Sequence, residues 1–209
     1  NLQAVKEGQN YFTASIRKLT GEKNTKNNTK NFSVEVIDEQ TKVLILSSVL
    51  HPDLGALKKA IERNKQRTVE LKMIDNFNGL LNDYQLVILY QPNNQFAKIT
   101  AALKQQNSNY FIFSGLKTDW NFLNKQQLGF AKKAINQTEN YTAKYNAGFL
   151  TFLQKDIGFN QFSPLDDSYG EVVISKPHQT LLFQNINGIE TNQPLLSTFE
   201  ENNQKSAIL

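Results

Sequence analysis

Cysteine is absent from the chain, which removes disulfides, thiolate nucleophiles and cysteine-based metal sites together. Histidine occurs only at His51 and His178, so a base or a metal centre has few imidazoles to draw on. Arginine occurs only at Arg17, Arg63 and Arg67, and the lysines are scattered singly or in pairs. The net charge of +4 and pI near 9.1 therefore describe a solvated, lysine-rich surface. Nucleic acid would require arginine clustered with aromatics on one face, and it is excluded as a partner. No apolar run approaches the roughly 18 residues of a membrane span; "VLILSSVL" and "QLVILYQ" have strand length, so no direct membrane insertion by this stretch is expected. There is no basic segment followed by an apolar one at the start. A beginning at Asn1 and an end on the apolar "QKSAIL" suggest a piece of a longer protein.

What is present suits a folded globular chain: 209 residues, 39% hydrophobic and 20% charged. Residues 10–37 form two β-branched and aromatic runs around "TGEKNTKNNT", the pattern of a hairpin. Phe32, Val34 and Val36 alternate with Ser33 and Glu35, predicting burial on one side only. Because an isolated hairpin is marginal in water, residues 1–40 are expected to be the terminal hairpin of a truncated Ig-like β-sandwich. After "DEQT" (38–41), continuous apolar strands are predicted at 42–49, 68–74, 85–90 and 109–113. Helices are predicted from Pro52 and from Gln95, with Leu54, Leu57 and Ile61, then Phe96, Ile99 and Leu103, at helical spacing. This alternation implies that residues 41–209 are an α/β unit with a doubly wound, mostly parallel sheet. A short helix capped by Thr118 or Asp119 follows. Strands at 140–152 and 170–175, and "TLLFQNI", "PLLSTF" and "KSAIL" as an antiparallel meander, add a C-terminal β appendage.

In open parallel sheets ligands bind beyond the carboxyl ends of the strands. That directs attention to Ser48, His51, Gln91, Asn93 and Ser114 as candidate crevice or ligand-binding residues. A dinucleotide site or a P-loop needs glycines in the first strand-to-helix turn; here "SSVLHPDLG" has none before Gly55. A phosphoacceptor domain needs an acidic pair and a later aspartate where this chain has Ser47-Ser48 and Tyr90-Gln91. A nucleophile elbow needs small neighbours around the serine, but Ile112 and Leu116 flank "FSG". Neither His51 nor His178 is placed beside Ser114 by the sequence, so the strand-ending reading of Ser114 is favoured and no catalytic residue is assigned. Asp166-Asp167 in "PLDDSYG" reads as a turn, since a calcium loop needs more oxygen ligands at alternate spacing. Trp120 reads as a packing anchor. The N-x-[ST] matches at Asn27, Asn31, Asn136 and Asn140 carry little weight in so asparagine-rich a chain. No cofactor and no metal are expected.

The stretches "LTGEKNTKNNTKNFSVEVID", "KVLILSSVLHPDLGALKKAI", "FSGLKTDWNFLN" and "FSPLDDSYG" resemble a group of bacterial membrane-anchored proteins of unassigned function. In these an Ig-like or CARDB-like β-domain precedes a class I glutamine amidotransferase-like domain of flavodoxin type. The resemblance implies an extracytoplasmic, periplasmic setting, with partners among the other domains of the full-length protein or other proteins. It places a cysteine nucleophile near Ser114, and with neither that cysteine nor a His-x-Glu pair present the catalytic role does not carry over. The expectation is a non-catalytic binding or assembly module that takes a small polar ligand. The alternative is a serine hydrolase or carbohydrate-acting enzyme using Ser114 with His51 or His178, and a third reading is a purely structural spacer.

Overall fold

The computed structural model describes residues 6, 8–24, 26–36 and 40–209. The chain divides into two compact units, residues 1–40 and 41–209. The first is a hairpin of β1 (Gly8–Ser15) and β2 (Thr29–Val36), antiparallel, with Phe12 opposite Phe32 and their rings stacked at 5.7 Å. The predicted one-sided burial is not seen here: Phe32 and Val34 are 38% and 40% exposed. Ile37, the expected end of that strand, and the first residues of the 38–41 linker lie outside the described residues.

The second unit is built on one nine-stranded mixed sheet, in the order β4-β3-β5-β6-β11-β10-β9-β7-β8. Four parallel strands come first: β3 (Thr41–Ser47), β4 (Arg67–Met73), β5 (Leu86–Tyr90) and β6 (Tyr110–Phe113). Their apolar residues alternate between two faces because side chains alternate along a strand. Leu44, Leu46, Val87, Leu89 and Ile112 pack on one side with helix α2 (Ala97–Gln105), which contributes Leu103. Val43, Ile45, Ile88 and Tyr90 pack on the other with Leu54 of α1 (Pro52–Glu62).

The doubly wound α/β expectation, with its flavodoxin-type and amidotransferase-like identity, is overturned. Between β4 and β5 the chain makes only two short 3-10 turns instead of a helix. After β6 the six-residue α3 (Trp120–Lys125) leads to antiparallel strands rather than another parallel one. These are β7 (Phe130–Tyr145), β8 (Leu165–Ile174), β9 (His178–Ile186), β10 (Ile189–Glu201) and β11 (Gln204–Ile208). They are not an appendage. Strand β11 is antiparallel to β10 but parallel to β6, which joins both halves into one sheet. Asn187-Gly188 and Asn202-Asn203, all at positive φ, make the tight turns that the right-handed twist of hairpins favours. The sheet is therefore mixed and predominantly β, with three α-helices among the described residues.

Two boundaries also differ from expectation. Strand β7 begins ten residues before the predicted 140, and residues 146–152 are not strand. Residues 165–170, read as a turn, open β8. A bulge separates Ala134↔Gly170 from Thr138↔Ser168, so residues 135–137 lie opposite Tyr169 alone. A Cβ on Gly170 would lie 2.4 Å from the Lys133 carbonyl oxygen, so this crossing requires glycine.

Candidate functional site

A cavity of about 570 Å³ opens where the carboxyl ends of β3, β5 and β6 meet β8, β10 and the chain's last residues. That volume falls in the range of small-molecule sites. Ser114 lies at its floor. The Ser114 backbone N–H donates to the Leu209 carbonyl at 2.7 Å and Leu209 N–H to Ile112 O at 2.9 Å, so β11 clamps the end of β6. Gly115 N–H donates to Thr118 Oγ1, and Asp119 caps α3 by accepting from Phe122 N–H, as its sequence position predicts.

The Ser114 hydroxyl donates to Asp167 Oδ2 at 3.1 Å. The same oxygen takes Lys132 Nζ at 2.9 Å. Oδ1 accepts from Trp120 Nε1 at 3.3 Å and from the Ser168 backbone N–H at 2.7 Å. The Lys132 and Asp167 side chains are 3% and 9% exposed, a degree of burial that charged groups reach almost only when paired. Lys132 Nζ also stands 5.1 Å from both the Trp120 and Tyr141 ring centres, so a carboxylate and two aromatic faces enclose the ammonium. Tyr141 is pushed up to about 12, first by burial and then by the Asp167 charge.

A second polar group borders the cavity. His51 is the N-cap of α1, its Nδ1 accepting from Asp53 N–H at 3.3 Å. Tyr90 OH lies 3.0 Å from that nitrogen and donates to Asp53 Oδ2 at 3.0 Å. Burial, reinforced by Asp53 and opposed by a hydrogen bond with Gln91, raises the Tyr90 phenol to about 12. Gln91 itself sits at φ 48°, an unfavourable backbone for a residue with a Cβ. Its Oε1 accepts from Lys117 N–H at 2.8 Å, and a Cβ on Gly115 would meet its Cδ at 2.8 Å. Glycine at 115 is what lets the Gln91 side chain brace the loop after Ser114.

Of the five residues nominated from sequence, His51, Gln91 and Ser114 line the cavity. Ser48 instead donates to the Gln91 carbonyl at 3.0 Å, and Asn93 caps a 3-10 turn by accepting from Gln95 N–H. Neither histidine is hydrogen-bonded to Ser114: His51 is engaged with Tyr90 and Asp53, and His178 Nδ1 meets Lys176 O at 3.0 Å. Lys132 and Tyr90 were not nominated, Asp167 had been read as a turn residue and Trp120 as packing alone. The alternation of Phe130, Lys132 and Ala134 does place a lysine on an apolar strand face, which is the signal available for it. Among the described residues no group of three or more His, Asp or Glu could hold a metal ion.

No family model matches the chain, and no curated protein matches it. Solved structures similar to it include the carbohydrate deacetylase Agd3, at 8% identity and a TM-score of 0.46 over 81% of this chain and 29% of that one. A GMP synthase component from Thermoplasma acidophilum is similar at 7% identity and 0.48, over 80% and 82% of the two chains. Alpha-L-fucosidase isoenzyme 2 from Paenibacillus thiaminolyticus is similar at 12% and 0.47, over 79% and 28%. The chain thus spans less than a third of the deacetylase and of the fucosidase, and at these values the likenesses assign neither family nor function.

Proposed function

We propose that residues 41–209 bind a small, neutral, polyhydroxylated ligand in this cavity and do not turn it over. The observation that carries the reading is the bonding of Ser114. Its one proton is committed to Asp167, which leaves the Oγ lone pairs to accept from a ligand hydroxyl. A carboxylate has about four acceptor positions, and those of Asp167 meet Ser114, Lys132, Trp120 and Ser168. It serves as a fixed strut, and no imidazole stands at Ser114 to take a proton. The two deepest charges, Lys132 and Asp167, cancel each other, which favours a neutral ligand. With this module we propose the setting that the sequence resemblance implies, a larger membrane-anchored protein outside the cytoplasm.

The test uses the emission of Trp120, the single tryptophan, which lies on the cavity wall. Neutral monosaccharides and polyols should change it saturably, sugar acids and amino sugars more weakly, and Ser114→Ala should weaken the neutral ligands. Binding of charged sugars alone would refute the reading. So would hydrolysis of p-nitrophenyl acetate that disappears in Ser114→Ala.

A further inference from the structure

The rim of the cavity differs in chemistry from its floor. Leu50, Leu116 and Leu165 come from three separate segments, the turn after β3, the loop after β6 and the start of β8. They are 84%, 49% and 43% exposed, yet all three line the one cavity that has Ser114 and Tyr90 within it. Single exposed leucines are ordinary on a protein surface. Three of them converging from distant parts of the chain on the open end of a polar cavity are not. Val49, Pro164 and Leu195 continue the apolar lining between rim and floor.

Resting on the binding reading above, we propose that the ligand is an amphiphile: a neutral polyol headgroup seated at Ser114 and Tyr90, with an alkyl or acyl substituent lying across Leu50, Leu116 and Leu165. A free sugar would satisfy the floor and leave the rim in water. A purely apolar ligand would leave the Ser114 and Tyr90 oxygens without partners, which is costly in a buried site. A headgroup with a short chain meets both demands, and 570 Å³ accommodates it.

The experiment titrates the whole 1–209 chain with methyl, butyl and hexyl β-D-glucopyranoside below their micellar concentrations, read by calorimetry and Trp120 emission. Full burial of a methylene corresponds to about a fourfold gain in affinity, so a half-exposed rim should give about twofold for each one added. The hexyl glycoside should then bind about thirtyfold more tightly than the methyl. Leu50→Ser/Leu116→Ser/Leu165→Ser, changed at exposed positions, should abolish most of that gradient. Ser114→Ala should weaken all three glycosides by one common factor and keep the gradient. Equal affinity along the series, or a gradient untouched by the triple substitution, overturns the amphiphile assignment and leaves polyol binding standing. Saturable binding by none of the three overturns the polyol reading itself, and the amphiphile with it.

Discussion

Replacing Asp167 by asparagine isolates the interaction on which the cavity floor depends. The Lys132–Asp167 pair spans 2.9 Å with both side chains almost wholly buried. Coulomb attraction is not the useful measure, because desolvation offsets much of it. What decides the outcome is which charge each substitution strands. Asp167→Asn leaves a buried ammonium facing an amide, and puts an N–H₂ group where Ser114, Lys132, Trp120 and Ser168 all donate. Breaking a buried pair in this way costs about 3–5 kcal/mol, a large part of a domain's total stability. Lys132→Met leaves the carboxylate with three of its four donors and keeps an apolar stem between Trp120 and Tyr141, for about 2 kcal/mol. The double substitution removes both charges and should cost less than the sum of the singles by at least about 2 kcal/mol. Urea unfolding followed by far-ultraviolet circular dichroism measures all three, while Trp120 emission reports the site directly. A cost below about 1 kcal/mol for Asp167→Asn, or strict additivity in the double variant, would refute the reasoning.

Two glycine substitutions should separate by the nature of the atom they strike. Gly170→Ala drives a Cβ to 2.4 Å from the Lys133 carbonyl oxygen, which is backbone, and should lower stability by about 3 kcal/mol or more. Gly115→Ala meets only the Gln91 side chain, should cost about 1–2 kcal/mol, and should be largely repaired by adding Gln91→Ala; thermal unfolding ranks the three proteins. Tyr90 and Tyr141 keep their protons to about pH 12 in the fold, whereas the unfolded phenols ionise near pH 10. Their contribution is complete below pH 10 and is lost as pH rises through 12, on the order of 2 kcal/mol for each. The urea midpoint should therefore fall between pH 9.5 and 11.5 and fall less in Tyr90→Phe; a flat midpoint over that interval contradicts the assignment. His51→Ala removes the side-chain cap of α1 and should cost about 1 kcal/mol, with His51→Asn restoring most of it.

The four parallel strands were legible because each is buried on both faces, and a strand of that kind is written as an uninterrupted apolar run. "KVLILSS" and "QLVILY" leave little choice, and β3 and β5 fall within two residues of where the runs predict. The extrapolation from four strands to a doubly wound sheet failed for a physical reason. Residues 74–85 look no less able to hold a helix than many short crossovers, yet Asn76, Asn78-Gly79 and Asn82 bias them to turns. Beyond Gly129 the period changes from helical to alternating, and that half of the sheet is held by hairpins. Which neighbour a strand chooses is a long-range matter. Nothing local in "QKSAI" states that β11 will insert beside β6, almost a hundred residues earlier in the chain.

The site divides in the same way. Ser114, His51 and Gln91 stand at strand ends, where sheet geometry alone nominates them. The partner that gives Ser114 its role is fifty-three residues distant, in a segment whose Pro164, adjacent aspartates and Gly170 all speak locally for a turn. Those residues serve a strand instead: Gly170 permits the close crossing at the bulge, and Asp167 is the one carboxylate of the pair that turns inward. Local turn chemistry and a bulged strand use the same residues, so the two cannot be told apart until the pairing partner is known. An isolated aspartate and an isolated lysine carry no functional signal singly. Their meaning lies in having no water around them, and that property exists only after β7 and β8 have paired.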